Sequence, residues 1–330
     1  MKPTVRVVWP EPGRVEMESF VPDPPAPDQI LARARYTLIS PGTERAWLLG
    51  LPNTPRHFPI YPGYSFIGVV EAVGEEVRSV QPGDLIAAPA PHAGAVLTRA
   101  DEAVPLPAGI DLEAAAFFNL AAITLQGVRK ARLEIGESVA VLGQGLVGQL
   151  AVRLARLGGA CPVAALDLSP RRLAFSEGAA DACLNPEAAD FSDRLRALCT
   201  PDGPDVVIEA TGRPEPVITA LQMARPHGRV VLLASTRGVT DGVNFYTDVH
   251  CKGLQVIGAH TYARPARDSA PGWWTWRDDV TAFFRLVQTR RLDPRPLITD
   301  RIPAQYAPQA YHRLAQWDEK IMGVLFQWPE

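Results

Sequence analysis

The hydrophobic rhythm of the chain changes partway along. In the first third the apolar positions fall in short β-branched or alternating runs, Val5 to Trp9, Gln29 to Leu38, Phe66 to Val73 and Asp84 to Pro89, cut by turns such as Gly74-Glu75-Glu76 and Pro82-Gly83-Asp84. A period of two broken by proline and glycine predicts a small barrel-like β domain. Pro22 to Asp28 reads as a stiff loop between two of its strands. From Leu112 the spacing becomes helical, over Leu112 to Asn119 and Ala121 to Lys130. Short apolar runs then follow at Ser138 to Leu142, Val163 to Leu166, Ala182 to Leu184, Val206 to Glu209, Arg229 to Leu233 and Leu254 to Gly258, most of them separated by helical stretches. That alternation predicts a doubly wound parallel sheet. After Gly258 it stops: an amphipathic helix, Arg277 to Thr289, and a strand-like ending, Gly323 to Trp328, form a tail too short for its own core, expected to pack back on the first domain.

Between the strand ending at Leu142 and the predicted helix Val147 to Leu157 stands Gly143-Gln144-Gly145-Leu146-Val147-Gly148, and Asp167 closes the next strand. Glycines alone mark ordinary turns, but strand, glycines, helix and acid in this order form a dinucleotide fingerprint. Gly143 permits the sharp turn, Gly145 lets backbone N–H groups approach a pyrophosphate, and Gly148 lets helix and strand pack closely. The helix N-terminus, beginning at Leu146 and Val147, offers free N–H groups and a dipole to the phosphates. Asp167 suits the ribose hydroxyls of NAD and repels a 2′-phosphate; Arg171 and Arg172 keep NADP as the alternative.

Length and composition fit this division, since 330 residues with 47% apolar content can fill two cores. A net charge of −3 with scattered arginines argues against a nucleic-acid partner. No apolar run approaches the roughly 18 residues of a membrane span, and Met1 to Pro10 lacks the regions of a signal peptide, so a cytoplasmic protein is expected. Cys161, Cys183, Cys199 and Cys251 form no C-x-x-C pair and are expected to be buried reduced thiols. His57, His92, His227, His250, His260 and His312 show no local metal-binding spacing; His57 and His260 are the two that sequence position brings nearest a site. Trp273, Trp274 and Trp276 read as anchors for the returning tail.

The order of parts resembles the medium-chain dehydrogenases/reductases over essentially the whole chain. The matching pieces are Ser40-Pro41-Gly42-Thr43-Glu44, Tyr61-Pro62-Gly63-Tyr64-Ser65-Phe66-Ile67-Gly68, Val80-Gln81-Pro82-Gly83-Asp84, Ala121 to Thr124, the glycine fingerprint, and Leu292-Asp293-Pro294-Arg295-Pro296-Leu297-Ile298. The resemblance implies an α/β protein in which a GroES-like β-rich substrate domain is interrupted by a Rossmann domain, with the active site in the cleft between them. On that basis residues 1–121 are the first part of the GroES-like domain, 122–257 the NAD-binding domain, and 258–330 the return. It also implies that Thr124 and Arg172 are cofactor contacts, and that Leu254 to Gly258 is a sheet edge that pairs with its mate in a homodimer.

The chain departs from its zinc-dependent relatives where they bind metal. Pro41 stands where a cysteine precedes Thr-Asp, Gly63-Tyr64-Ser65 replaces Gly-His-Glu, and Leu120 takes the third ligand's place. Proline and leucine cannot coordinate zinc, and neutral tyrosine is a poor ligand. The cysteine-rich lobe that usually follows Gly83-Asp84 is missing as well, because Ala87 to Leu97 holds no cysteine. The Gly-Thr-Glu and Pro-Gly-Tyr pieces look like a zinc-free subgroup that includes the bacteriochlorophyllide a dehydrogenases. Something must then replace the Lewis acid that polarises the substrate oxygen. The candidates are Thr43, a proton-relay hydroxyl in related enzymes, with Tyr64 and Ser65; a phenol of pKa about 10 can donate a hydrogen bond to a developing oxyanion. The alternative for Tyr64 is to fill the volume of the lost metal. Glu44 is expected to support the site from behind or to pair with Arg45 or another arginine. The expectation is a zinc-independent, NAD-dependent oxidoreductase acting on an alcohol or carbonyl of a small molecule, ring-shaped or conjugated, with a quinone or enone reductase and a redox-silent NAD-binding sensor as its rivals.

Overall fold

Turn chemistry cuts the first segment of the chain into seven strands: β1 (Thr4–Val8), β2 (Glu16–Phe20), β3 (Gln29–Leu38), β4 (Phe66–Val73), β5 (Leu85–Ala88), β6 (Ala95–Arg99) and β7 (Val104–Pro105). The computed structural model describes residues 2–329. β3 is the hub, paired antiparallel with β4 and with β6, and its register with β4 shifts at Leu31/Ala32 and Ala34/Tyr36, irregularities that bend a strand around a barrel. Between β3 and β4 lies a helix that the sequence pattern did not suggest, α1 (Pro41–Leu48). Pro41-Gly42 looks like a turn, yet proline at the first helical position suits a helix start because its missing N–H would have no partner there.

The two helical stretches expected at Leu112 to Asn119 and Ala121 to Lys130 are α2 (Leu112–Ala115), capped by Asp111 accepting from the Ala114 N–H at 3.0 Å, and α3 (Phe118–Lys130), the break falling before Phe118 instead of at Leu120. The alternating region then appears as read: β8 (Val139–Leu142), α4 (Leu146–Leu157), β9 (Val163–Leu166), α5 (Pro170–Ala174), β10 (Ala182–Leu184), α6 (Phe191–Leu198), β11 (Val206–Glu209), α7 (Glu215–Met223), β12 (Arg229–Leu232) and β13 (Gln255–Gly258). All five pairings of this sheet are parallel, in the order β10-β9-β8-β11-β12-β13. The chain leaves β8 in one direction and returns to its other side at β11, so the carboxyl ends of these two strands frame the switch point where such sheets bind ligands.

The last elements are α8 (Trp276–Gln288), β14 (Ile298–Pro303), α9 (Ala307–Ala315) and β15 (Gly323–Gln327). β15 pairs antiparallel with β3, Leu325 opposite Leu38, which completes the order β14-β15-β3-β4-β5-β7. A core of Trp9, Ile30, Phe66, Tyr311 and Phe326 fills this sheet.

Two compact units result, one running to Leu120 and resuming at Val280, the other Ala121–Asp279. The second boundary therefore falls at 279/280, where the sequence suggested 257/258. The physical reason is the set of ties that hold the intervening segment on α3: Gln126 donates to the carbonyls of His260 and Ala263, Arg129 pairs with Asp279 at 2.8 Å, and Lys130 donates to the Gly258 carbonyl. Trp274 lies under the Arg129 guanidinium at 3.6 Å and Trp273 under the Lys130 ammonium at 4.6 Å. These tryptophans anchor, but to the nucleotide-binding unit. The cysteines also differ from expectation, being free but not buried, since Cys161 and Cys251 are exposed and Cys183 and Cys199 half-buried. Among the described residues no helix is long and apolar enough to cross a membrane.

Candidate active site

At the carboxyl end of β8 the glycines do what close packing demands. Gly143 has φ +92°, and a Cβ there would sit 2.8 Å from Thr211 Cγ2 and 2.9 Å from the Thr211 nitrogen. At Gly148 a Cβ would meet the Gly143 carbonyl oxygen at 1.8 Å. Gly145 is different: nothing lies within 4 Å of its Cβ position, and as the N-cap of α4 it provides no side-chain cap. The Gly145 cap thus leaves the start of α4 without the side-chain acceptor that a serine or aspartate would supply there. Buried Gln144 fixes the turn by donating to the Val141 carbonyl at 2.8 Å and accepting from Ser176 Oγ at 3.0 Å.

Asp167 stands just beyond β9, half-buried, with Oδ2 accepting from the Gln144 N–H at 2.6 Å and Oδ1 from the Ser169 N–H at 2.9 Å. A carboxylate oxygen accepts more than one bond, so both retain capacity for ribose hydroxyls. Arg172 lies on α5, its N–H directed at the capping Ser169 hydroxyl and its carbonyl accepting from Gln149. Thr124 lies on α3 and is fully buried. The glycine spacing, the helix start and Asp167 beyond β9 have the order of a dinucleotide fingerprint.

In the other unit the structure gathers residues that sequence alone did not connect. Glu44, 1% exposed on α1, accepts from the Ser40 N–H at 2.7 Å through Oε1, and through Oε2 from the Tyr311 hydroxyl and from His92 Nε2 at 3.0 Å. Its partners are therefore His92 and Tyr311 instead of the expected Arg45, whose guanidinium lies over the Trp317 ring at 4.7 Å. Three donors therefore converge on one buried carboxyl group. The same carboxylate, with full burial, pushes the Tyr311 hydroxyl well above its ordinary pKa, so Tyr311 stays a donor. With Glu44 as acceptor, the contact fits the tautomer in which His92 carries its proton on Nε2; its Nδ1 is buried with no partner.

His92 also shapes the turn before β4. Its N–H donates to the Pro62 carbonyl at 2.7 Å, and Gly63, at φ +100°, has no room for a Cβ because His92 Cδ2 would be 2.7 Å away. Tyr64 follows, half-buried, its carbonyl accepting from Asn119 Nδ2 at 2.7 Å and its phenol close enough to act electrostatically on Tyr311. Ser65 is buried, and its hydroxyl oxygen has no partner. Thr43 precedes Glu44 on α1 and is half-buried. His57 and His260 are exposed, the latter with its ring against Tyr262. Of the residues singled out in the sequence, Thr43 precedes Glu44 on α1, while Tyr64 and Ser65 follow the turn that His92 holds through Pro62; His92 and Tyr311 were missed. Gly63 carried a faint signal of His92, while Tyr311, 267 positions from Glu44, carried none.

The segment 147–276 matches the family described as "Zinc-binding dehydrogenase". D-guloside 3-dehydrogenases of Shigella flexneri and Escherichia coli are 27% identical over 272 residues, covering 80% of this chain and 77% of theirs. The probable D-xylulose reductase A of Aspergillus clavatus is also 27% identical, over 88% of this chain and 87% of its own. A putative zinc-binding dehydrogenase from Sinorhizobium meliloti, solved bound to NADP, superposes with a TM-score of 0.84 at 26% identity, covering 99% of this chain and 100% of that one. Together with the GroES-like and Rossmann folds, these matches make the chain similar to the zinc-binding dehydrogenases over most of its length. It is an NAD(P)-dependent oxidoreductase.

The family's metal does not fit the residues present. Pro41 opens α1 without a donor atom to offer, Leu120 is a buried hydrocarbon, and among the described residues no three His, Cys, Asp or Glu side chains gather to hold a metal ion.

Proposed function

We propose that this protein moves hydride between NAD and a secondary hydroxyl, or the matching ketone, of a sugar or polyol, and does so without zinc. The substrate class follows the named activities of the D-guloside 3-dehydrogenases and the probable D-xylulose reductase A. Zinc independence is supported by Pro41 and Leu120 at the ligand positions and agrees with the resemblance to the bacteriochlorophyllide-type subgroup.

The observation that carries the reading is the Glu44 cluster: Glu44 follows Thr43 on α1, and the His92 that it meets is bonded to Pro62 in the turn that presents Tyr64. The nicotinamide ring of NAD, when bound, supplies the hydride acceptor. Tyr64 donates its phenolic hydrogen bond to the substrate oxygen and stabilises negative charge there as the C–H bond breaks. Thr43 takes up the hydroxyl proton as its own proton passes to solvent water. The α4 N-terminus binds the pyrophosphate, and Asp167 accepts the adenosine ribose hydroxyls, favouring NAD over NADP. Thr124 and Arg172 are the further cofactor contacts, and Ser65 backs Tyr64.

The assembly we propose is a homodimer. β13 has a single neighbour, β12, and leaves Val256 44% exposed along an open edge, which a symmetry mate would cover.

Steady-state turnover tests the reading directly, with NAD and NADP, across polyols, alkyl glycosides, simple alcohols, quinones and enones. Oxidation of glycosides or polyols with NAD supports it. Activity confined to quinones or enones replaces it with a reductase, whereas the sensor requires a crystal structure in which side chains fill the nicotinamide pocket and leave no room for a substrate carbon beside C4.

A further inference from the structure

Two loops carry the positions at which relatives hold zinc: the start of α1, with Pro41, and the turn before β4, with Tyr64. In a metal enzyme, coordination would tie such loops together. Here no donor set does, yet the loops are not independent. From α1, Glu44 reaches His92 Nε2 at 3.0 Å; from the turn, Pro62 accepts the His92 N–H at 2.7 Å and Gly63 lies flat against the imidazole. Tyr311 closes the cluster by donating to the same Glu44 oxygen.

The surroundings make this tie rigid. Glu44 and His92 are buried to 1% and 0% exposure, and Tyr311 to 0%. The Phe326 ring meets the imidazole edge-on at 5.2 Å, and Trp9 meets Tyr311 in the same way at 5.2 Å. A buried carboxylate leaves its donors little freedom, because any donor that turns away exposes an uncompensated charge in an apolar place.

We infer that Glu44, His92 and Tyr311 form an organic clasp that fixes the two site loops to each other, taking over the cross-linking duty that a metal ion performs elsewhere in the superfamily. His92 and Tyr311 are positioning residues: neither needs to touch substrate. The inference rests on the reading above for the importance of Thr43 and Tyr64, whereas the clasp itself can be measured without a substrate.

The test is hydrogen exchange by mass spectrometry on the full chain, comparing wild type with Tyr311→Phe, His92→Leu and His92→Gln. A clasp couples the loops, so Tyr311→Phe, which removes one donor to Glu44 alone, should speed exchange by about tenfold or more in both residues 40–44 and residues 63–65. His92→Leu should do the same. His92→Gln, whose amide N–H can stand near Nε2, should restore most of the protection that leucine loses. Exchange changes confined to the segment beside the replaced side chain, or glutamine behaving like leucine, overturn the clasp. NAD affinity measured on each variant should equal wild type, because the dinucleotide elements lie in the other unit. Turnover on a glycoside or polyol reports separately on the functional reading: coupled exchange with unchanged turnover keeps the clasp and removes Thr43 and Tyr64 from the chemistry.

Discussion

Thr211 donates both its backbone N–H, at 2.7 Å, and its hydroxyl to a single oxygen of Glu209, Oε1, while Oε2 is buried with no partner. Glu209 ends β11 beside the Gly143 turn, so this carboxyl holds the loop that packs against the dinucleotide fingerprint. Burial pushes its pKa up from 4.5 to about 7, and the Thr211 and Gly212 bonds only partly offset that rise. The folded state therefore holds a proton that the unfolded chain has released, and stability falls as pH rises from about 4.5 to about 7, where the loss is complete. Glu209→Gln should remove this slope, gaining at most on the order of 3 kcal/mol over wild type on the alkaline side and little on the acid side. Urea titrations of both proteins on either side of the window check it; parallel pH profiles would refute it.

Elemental analysis after dialysis should find no stoichiometric zinc, since Pro41 and Leu120 have nothing to coordinate with. Activity should survive a chelator. About one tightly held zinc per chain would mean that other ligands converge.

Asp167 accepts backbone bonds from Gln144 and Ser169 and is placed to accept ribose hydroxyls as well. Asp167→Ser should weaken NAD more than NADP and narrow a wild-type preference for NAD of about tenfold, or 1.4 kcal/mol. Calorimetric titration with both cofactors decides it, and a wild-type preference for NADP would show that Arg171 and Arg172 dominate.

Tyr64→Phe removes one preorganised donor and should lower turnover on the order of 10²-fold while leaving NAD affinity unchanged. Thr43→Val should also impair turnover, and the double variant should lose less than the two combined if the hydroxyls act as one unit. Wild-type rates in both single variants would assign Tyr64 the simpler task of filling space.

Light scattering should give twice the chain mass at micromolar concentration. Val256→Lys, placing a charge on the open edge of β13, should shift the protein toward monomer. A wild type that is already monomeric would contradict the dimer.

Most of the fold was legible because period and punctuation are local signals. Gln29–Leu38, Phe66–Val73 and Val206–Glu209 coincide with the runs read from the sequence, since alternating or β-branched runs bounded by turns admit few alternatives. α1 was not legible, because Pro41-Gly42 signals a turn as strongly as a helix start. The dinucleotide half of the site lies within one strand, turn, helix and strand, and reads in order. The other half depends on Glu44 meeting His92 and Tyr311 across long stretches of chain, and no periodicity records which buried polar groups will face each other.

The Glu44–Tyr311 bond also bears on the order in which a ribosome can complete this molecule. Ala121–Asp279 is one continuous stretch, so its parallel sheet can assemble while later residues are still being made. The other unit must wait: β15 has to be synthesised before it can zip onto β3, and α9 before the Tyr311 hydroxyl can donate to Glu44. Until then a buried-to-be carboxylate and the edge of β3 stay open to water. The nucleotide-binding half is thus able to fold early, and the half that would receive the substrate is finished last.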